Sequence, residues 1–156
     1  MAKTIIRQAT SADFPVLLEI DVASFPLGIS YDSEELSYFM NQNGAETIVL
    51  EDDGTIAAFI IVDVDRKARS ATIVTLDVRE EYRRMGYGSQ LLRRSEEIIL
   101  KHDVTLYGLQ VDVNNGGAIT FYEEHGFRAA RKLSKYYPDG HDAYLMIKSL
   151  QPVDGK

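Results

Sequence analysis

The segment Arg83-Arg84-Met85-Gly86-Tyr87-Gly88 lies between a β-rich run, Ala71-Thr72-Ile73-Val74-Thr75-Leu76-Asp77-Val78, and a helical run from Ser89 to His102. Glycine in a strand-to-helix turn lets the backbone approach a ligand closely, and a helix start presents unpaired N–H groups and the positive end of its dipole. Gly86, Gly88 and the helix after them therefore read as a phosphate cradle, with Arg83 and Arg84 adding charge for a pyrophosphate. A surface turn with two solvated arginines is the competing reading, and a lone pair of glycines does not separate the two.

Two known nucleotide motifs are excluded. A dinucleotide fingerprint needs a third glycine where this chain has Leu91, and a Walker A loop ends in Gly-Lys-Ser/Thr, whereas Gly88 is followed by Ser89 and Gln90. Downstream, Leu109-Gln110-Val111-Asp112-Val113-Asn114-Asn115 runs into Ala118-Ile119-Thr120-Phe121-Tyr122-Glu123-Glu124-His125-Gly126-Phe127. That order is strand, Asn-rich turn, short helix and glycine stop.

On these residues the chain resembles the GNAT superfamily of acetyl-CoA-dependent N-acetyltransferases. Arg83-x-x-Gly86-x-Gly88 is similar to the family's pyrophosphate signature, and Asn115-x-x-Ala118-x-x-x-Tyr122-x-x-x-Gly126-Phe127 to its second signature. Within the superfamily the chain looks most like the protein N-terminal, ribosomal-protein-alanine type acetyltransferases. Ala23-Ser24-Phe25-Pro26, Tyr82-Arg83-Arg84-Met85-Gly86 and Lys135-Tyr136-Tyr137-Pro138-Asp139-Gly140-His141-Asp142-Ala143-Tyr144 carry that closer match.

With 156 residues the chain is expected to form one domain over 1–150 with a polar tail at 151–156, large enough for a continuous core. It has no cysteine, which excludes disulfides, a Cys-based metal site and an acetyl-cysteine intermediate. Direct transfer in a ternary complex is the remaining scheme, with acetyl-CoA as co-substrate and no metal. The N-terminus lacks an apolar signal core and no stretch reaches membrane-span length, so the expectation is a cytoplasmic protein without a membrane partner, as monomer or homodimer. The formal net charge of −7 argues against nucleic-acid binding and agrees with a cationic amine substrate, although acidity serves solubility as well.

Along the chain, Ile5–Gln8 reads as a first strand and Thr10–Asp13 as the cap of a helix with Pro15 in its first turn. Phe25-Pro26-Leu27-Gly28 breaks this helix, and Asp32-Ser33 caps a second one. Asp53-Gly54 between Thr47–Leu50 and Ile56–Val62 is a hairpin signal. The run Lys132–Tyr137, the turn Pro138–His141 and the strand Ala143–Ile147 read as a closing hairpin. Such order predicts an α/β (α+β) fold. The resemblance implies a mixed, mostly antiparallel twisted sheet of about seven strands with about four helices on both faces, its fourth and fifth strands splayed around the cofactor.

The resemblance also implies site roles. The backbone of Leu76, Asp77 and Val78 pairs with the pantetheine arm, and Arg83, Arg84, Met85, Gly86, Tyr87, Gly88 and Ser89 take the pyrophosphate. Asn115 contacts the cofactor, and also fits a helix cap. Tyr122 matches the tyrosine that protonates or hydrogen-bonds the coenzyme A sulfur, a task suited to a phenol with a pKa of about 10. Phe25, Pro26 and Tyr31 border the acceptor, and Tyr136 and Tyr137 contact the first peptide residues; core packing also accounts for some of these aromatics.

The base departs from the pattern. Gln110 stands where related N-terminal acetyltransferases often carry Glu or His, and an amide accepts no proton at neutral pH, though it can hold a water. Asp112, His141 and Tyr136 are the other candidates, with His141 also reading as the cap of an exposed turn. Without a strong base the easier acceptor is a protein or peptide α-amine, whose pKa of about 7.7–8.0 leaves a sizeable neutral fraction, whereas neutralising lysine costs roughly 4 kcal/mol. The expected reaction is acetyl transfer to such an N-terminus. A lysine or small-amine acetyltransferase and a non-catalytic acyl-CoA-binding module are the rival readings.

Overall fold

The computed structural model describes residues 3–25 and 29–151. Strands β1 (Thr4–Gln8), β2 (Ala45–Asp52), β3 (Thr55–Asp65), β4 (Ser70–Val78), β5 (Leu106–Asp112), β6 (Arg128–Leu133) and β7 (Ala143–Ser149) form one sheet in the order β1-β2-β3-β4-β5-β7-β6. Every neighbouring pair is antiparallel except β4 and β5. The β2–β3 turn is the expected Asp53-Gly54, with φ of 50° and 87°, the positive values a two-residue hairpin turn requires.

Helices α1 (Phe14–Ser24) and α2 (Ser33–Met40) cover one face, and α3 (Tyr87–Leu100) and α4 (Gly116–Glu124) the other. Pro15 lies in the first turn of α1, and Asp32 caps α2 by accepting the Glu35 N–H at 2.8 Å. Leu17, Ile20 and Leu36 pack on Val49, Phe59 and Ile61, while Leu91, Leu92 and Ile99 pack on Ala58, Ile60 and Val62 from the opposite side. Central strand β3 is thus apolar on both faces, and its buried run Ala57–Val62 has no polar side chain.

An irregularity in the β3–β4 ladder decides which way the β4 side chains face. Ile61 pairs with Thr75 but Val62 pairs with Ile73, so Val74 is an extra residue in β4. A bulge of this kind inverts the facing of side chains along the strand. Before it, Ala71 and Ile73 face α3; after it, Thr75 and Asp77 face α1 and Leu76 and Val78 face α3.

Two expected boundaries differ. Helix α3 starts at Tyr87 rather than Ser89 and ends at Leu100, because Gly86 takes a left-handed φ of 81° and opens the helix there. The closing hairpin forms between β6 and β7, but of the run Lys132–Tyr137 only Lys132 and Leu133 are strand, and Tyr136 and Tyr137 lie in the loop before β7. Local bonds outweigh the β-propensity of the tyrosines, since Asp142 Oδ1 accepts the Lys135 N–H at 2.9 Å and the His141 carbonyl accepts the Tyr137 N–H at 3.1 Å.

Gly44, before β2, shows how closely this frame is built. A Cβ there would lie 2.1 Å from the Val64 carbonyl oxygen, and the Gly44 carbonyl accepts the Val64 N–H at 2.9 Å. Gly44→Ala is expected to lower stability by about 1–3 kcal/mol, the usual range for overpacking. Urea unfolding measures it, and an unchanged midpoint would contradict the close contact.

Candidate active site

Parallel pairing of β4 with β5 covers Ser70↔Leu106 to Ile73↔Leu109 and then stops. Past that point β5 stays paired with β7 to Asp112↔Ala143 and β4 with β3 to Val78↔Ala58, so a cleft of about 920 Å³ opens between them. Arg79 N–H donates to Ala57 O at 2.9 Å, and by two-residue alternation Asp77 also turns its peptide groups toward β3. The peptide groups of Leu76 and Val78 then face the open side, where Tyr31 Oη reaches the Val74 carbonyl at 3.4 Å and Arg83 Nε donates to the Val78 carbonyl at 3.1 Å. Of the three residues expected to pair with pantetheine, Leu76 and Val78 present a free edge and Asp77 contributes its side chain to the other face.

At the mouth of the cleft Arg84 and Gly86 have φ of 67° and 81°. This alternation of hand makes a concave turn of the kind that gathers N–H groups around an anion, and the first turn of α3 adds N–H groups without intrahelical acceptors. Tyr87 joins through its main chain, because its buried ring sends Oη to Asp52. Met85 is exposed and Ser89 half-buried in the first turn of α3. A Cβ at Gly88 would stand 3.5 Å from Phe121 Cζ and 3.6 Å from Val78 Cγ2, so a longer side chain there enters the cleft between α4 and β4. This edge and cradle fit a phosphopantetheine nucleotide such as acetyl-CoA.

Asn115 caps α4, its Oδ1 accepting the Ala118 N–H at 3.2 Å, and it lines the cleft as well. Tyr122 lies on the α4 face pointing to the split, its ring packed edge-on against Phe121 and Phe127 at centroid distances of 5.2 and 5.5 Å. Burial, then the Asp77 charge, raises its pKa above that of an ordinary phenol, so the hydroxyl stays protonated and able to donate.

On the opposite face of the split stand Gln110 and Asp112 from β5, Thr75 and Asp77 from β4, and the loop residues Tyr31, Tyr136, Tyr137 and His141. Phe25, extended after α1, lines the same cleft, while Pro26 lies outside the described residues. Tyr136 and Tyr137 pack edge to face at 5.0 Å, and Tyr31 packs against Phe39 at 4.9 Å with the rings tilted by 52°. His141 does not simply cap an exposed turn: its Nδ1 lies 2.7 Å from Asp112 Oδ2. That contact raises the imidazole pKa above 6.5.

Sequence reading missed the buried carboxyl pair Asp21 and Asp77, which are 0% and 1% exposed. Thr75 Oγ1 donates to Asp77 Oδ1 at 2.5 Å, and Asp21 Oδ2 accepts the Tyr31 N–H at 2.8 Å, tying Tyr31 to α1. Burial, reinforced by the Asp21 carboxyl, pushes Asp77 well above the usual carboxylate range. The available signal was an acid in register with Leu17 and Ile20 on the apolar stripe of α1.

The sequence model of the Acetyltransferase (GNAT) family matches residues 12–127, and the chain belongs to this family. An N-acetyltransferase of Methanocaldococcus jannaschii is 32% identical over 97% of this chain and 95% of its own length. An N-alpha-acetyltransferase of Sulfurisphaera tokodaii is 29% identical over 93% and 92%. The crystal structure of the ribosomal-protein-S18-alanine N-acetyltransferase from Escherichia coli superposes with a TM-score of 0.85 at 26% identity, covering 96% of this chain and 95% of that one. The expected fold is therefore the observed one, and the chain is an acetyltransferase. No helix among the described residues is long and apolar enough to cross a membrane.

Because the Asp77 pKa is raised on folding, its protonation favours the native state at low pH, and that advantage is lost as pH climbs from the unfolded value of about 3.9 through the folded value. Asp77→Asn removes the penalty while its amide can donate to Asp21. Thermal melts should show the variant gaining at least about 2 °C over wild type at pH 8, with the difference narrowing toward pH 4. A variant less stable than wild type at both pH values would contradict the burial penalty on the Asp77 charge.

Proposed function

We propose that this chain is a cytoplasmic, acetyl-CoA-dependent Nα-acetyltransferase whose acceptor is the α-amino group of a protein or peptide N-terminus. Residues 1–150 are its single catalytic domain and 151–156 a tail. One observation carries the reading: a free strand edge and anion cradle on one face of the split meet an aromatic, acidic pocket on the other, with Tyr122 between them. The names of its relatives in Sulfurisphaera tokodaii and Escherichia coli support the same acceptor.

When bound, acetyl-CoA supplies the activated acyl group and the thiol leaving group. Leu76 and Val78 offer their peptide groups to the pantetheine, and the turn from Arg83 to Ser89 offers its N–H groups to the pyrophosphate. Arg83 Nε shares the Val78 carbonyl, whose two lone pairs accommodate a second donor. Tyr136, Tyr137, Tyr31 and Phe25 form the aromatic wall that admits an extended peptide end. The acids beneath favour an approaching ammonium group. Tyr122 holds a proton at the point where a thiolate must be discharged.

Tyr122→Phe keeps the ring's packing and removes the proton, so turnover should fall on the order of 10²-fold with acetyl-CoA affinity nearly unchanged. An unaltered turnover number would take that role from Tyr122. Gly88→Asp should abolish acetyl-CoA binding measured by calorimetry while the far-ultraviolet spectrum stays native, because its carboxylate projects into the cleft beside the pyrophosphate site. Wild-type affinity would refute the cradle. With peptides of free and blocked N-termini, the free one should be the substrate; preference for a blocked, lysine-containing peptide would make lysine the acceptor.

A further inference from the structure

An α-ammonium group must lose a proton before it attacks, and Gln110 cannot take it. Three sets of titratable groups line the acceptor face. Asp21 and Asp77 are sealed at 0% and 1% exposure, so a proton delivered to them has no ready route to solvent. Burial raises the pKa of the phenols of Tyr31, Tyr136 and Tyr137, so they remain protonated near neutral pH and take up no further proton. The third set is His141 with Asp112.

Their geometry is that of an oriented imidazole. Asp112 lies two residues past Gln110 on the same face of β5, its side chain 10% exposed. Its Oδ1 accepts the Asn114 N–H at 2.9 Å, which leaves Oδ2 directed at His141 Nδ1. The backbone of His141 is fixed in turn, donating to Asp139 Oδ1 at 3.0 Å and accepting from Tyr137 N–H at 3.1 Å, so the imidazole and the tyrosine wall move as one piece. With Nδ1 donating to Asp112, Nε2 carries the lone pair. The His141 side chain is 43% exposed and can return a proton to water.

Building on the Nα-acetyltransferase reading, we propose that His141 is the general base of this enzyme and that Asp112 is the residue that positions it. His141 Nε2 takes one proton from the incoming ammonium, directly or through a water. The freed lone pair forms the C–N bond to the acetyl carbon, and the C–S bond breaks. Tyr122 gives its proton to the departing thiolate and recovers one from the acylated nitrogen. The imidazolium, held against Asp112, then sheds its proton to solvent, so each acetyl transfer releases one proton.

The groups facing the imidazole are Asp112 from β5, Asp139 and Asp142 from its own loop, and the neighbouring Tyr136 and Tyr137. Lys132 of β6 is drawn to Asp142, at 3.5 Å. The carboxylates hold the proton on His141, Asp112 most of all, so the rising limb of turnover against pH should sit above the ordinary histidine value of about 6.5.

The test compares wild type, Asp112→Asn and His141→Gln by the pH profile of kcat on a free-N-terminus peptide and by NMR titration of the imidazoles. The limb should coincide with the titration of His141, and Asp112→Asn should move both to lower pH together, leaving KM for acetyl-CoA unchanged. His141→Gln should lower kcat on the order of 10²-fold and abolish that limb. A structural role for the pair would alter kcat or KM without displacing the limb. An unmoved limb in Asp112→Asn, or wild-type kcat in His141→Gln, overturns the proposal. Whichever peptide wild type prefers, free or blocked, decides the acceptor separately, and the displacement in Asp112→Asn is then read on that peptide.

Discussion

Parallel pairing of β4 with β5 ends at Ile73↔Leu109, and every property of the site depends on where it ends. Longer pairing would close the sheet into a continuous layer whose peptide groups satisfy one another. Here the central strand keeps one edge bonded to β3 while the far half of the other edge stays open. An unpaired edge in the middle of a sheet is costly unless something pairs with it. In this chain two side chains, Tyr31 and Arg83, reach the Val74 and Val78 carbonyls on that edge, and they can yield to or share with a bound strand-like ligand.

The bulge at Val74 gives the split two unlike faces. Leu76 and Val78 turn toward the apolar side with α3 and α4, where Tyr122 sits in a dry setting that keeps its phenol protonated. Thr75 and Asp77 turn toward α1, where carboxyl groups gather with the tyrosines of two loops. The turn from Arg83 to Ser89 and the acidic, aromatic group around Asp77 therefore border the same cleft from different sides. A cofactor and an acceptor entering from the two faces would meet at one point, the geometry that direct transfer requires.

Much of this was legible in the sequence because it rests on local rules. The Asp53-Gly54 hairpin and the Gly86 turn each reflect a backbone conformation that few residues adopt, and the Asp32 cap reflects a short side chain that accepts a helix N–H. Tyr122 and Asn115 were legible through the resemblance of their motif to the family's second signature. What escaped was tertiary. The Asp21–Asp77 pair joins residues from α1 and β4, and the reversed facing of Asp77 arises from a bulge that no local pattern announces. His141 read equally as a turn cap because its partner, Asp112, is 29 residues away in sequence. The tyrosine pair looked like strand because its β-propensity is high, and the loop that holds it is built from hydrogen bonds to Asp142 and His141.

The most direct test of the split as the cofactor's seat is amide hydrogen exchange at single-residue resolution, with and without saturating acetyl-CoA. Exchange at Leu76 and Val78 should slow markedly on binding, together with the amides at the start of α3, while the interior run Ala58–Val62 of β3, already paired on both sides, should change little. Unchanged exchange at Leu76 and Val78 in the presence of bound acetyl-CoA would contradict the account.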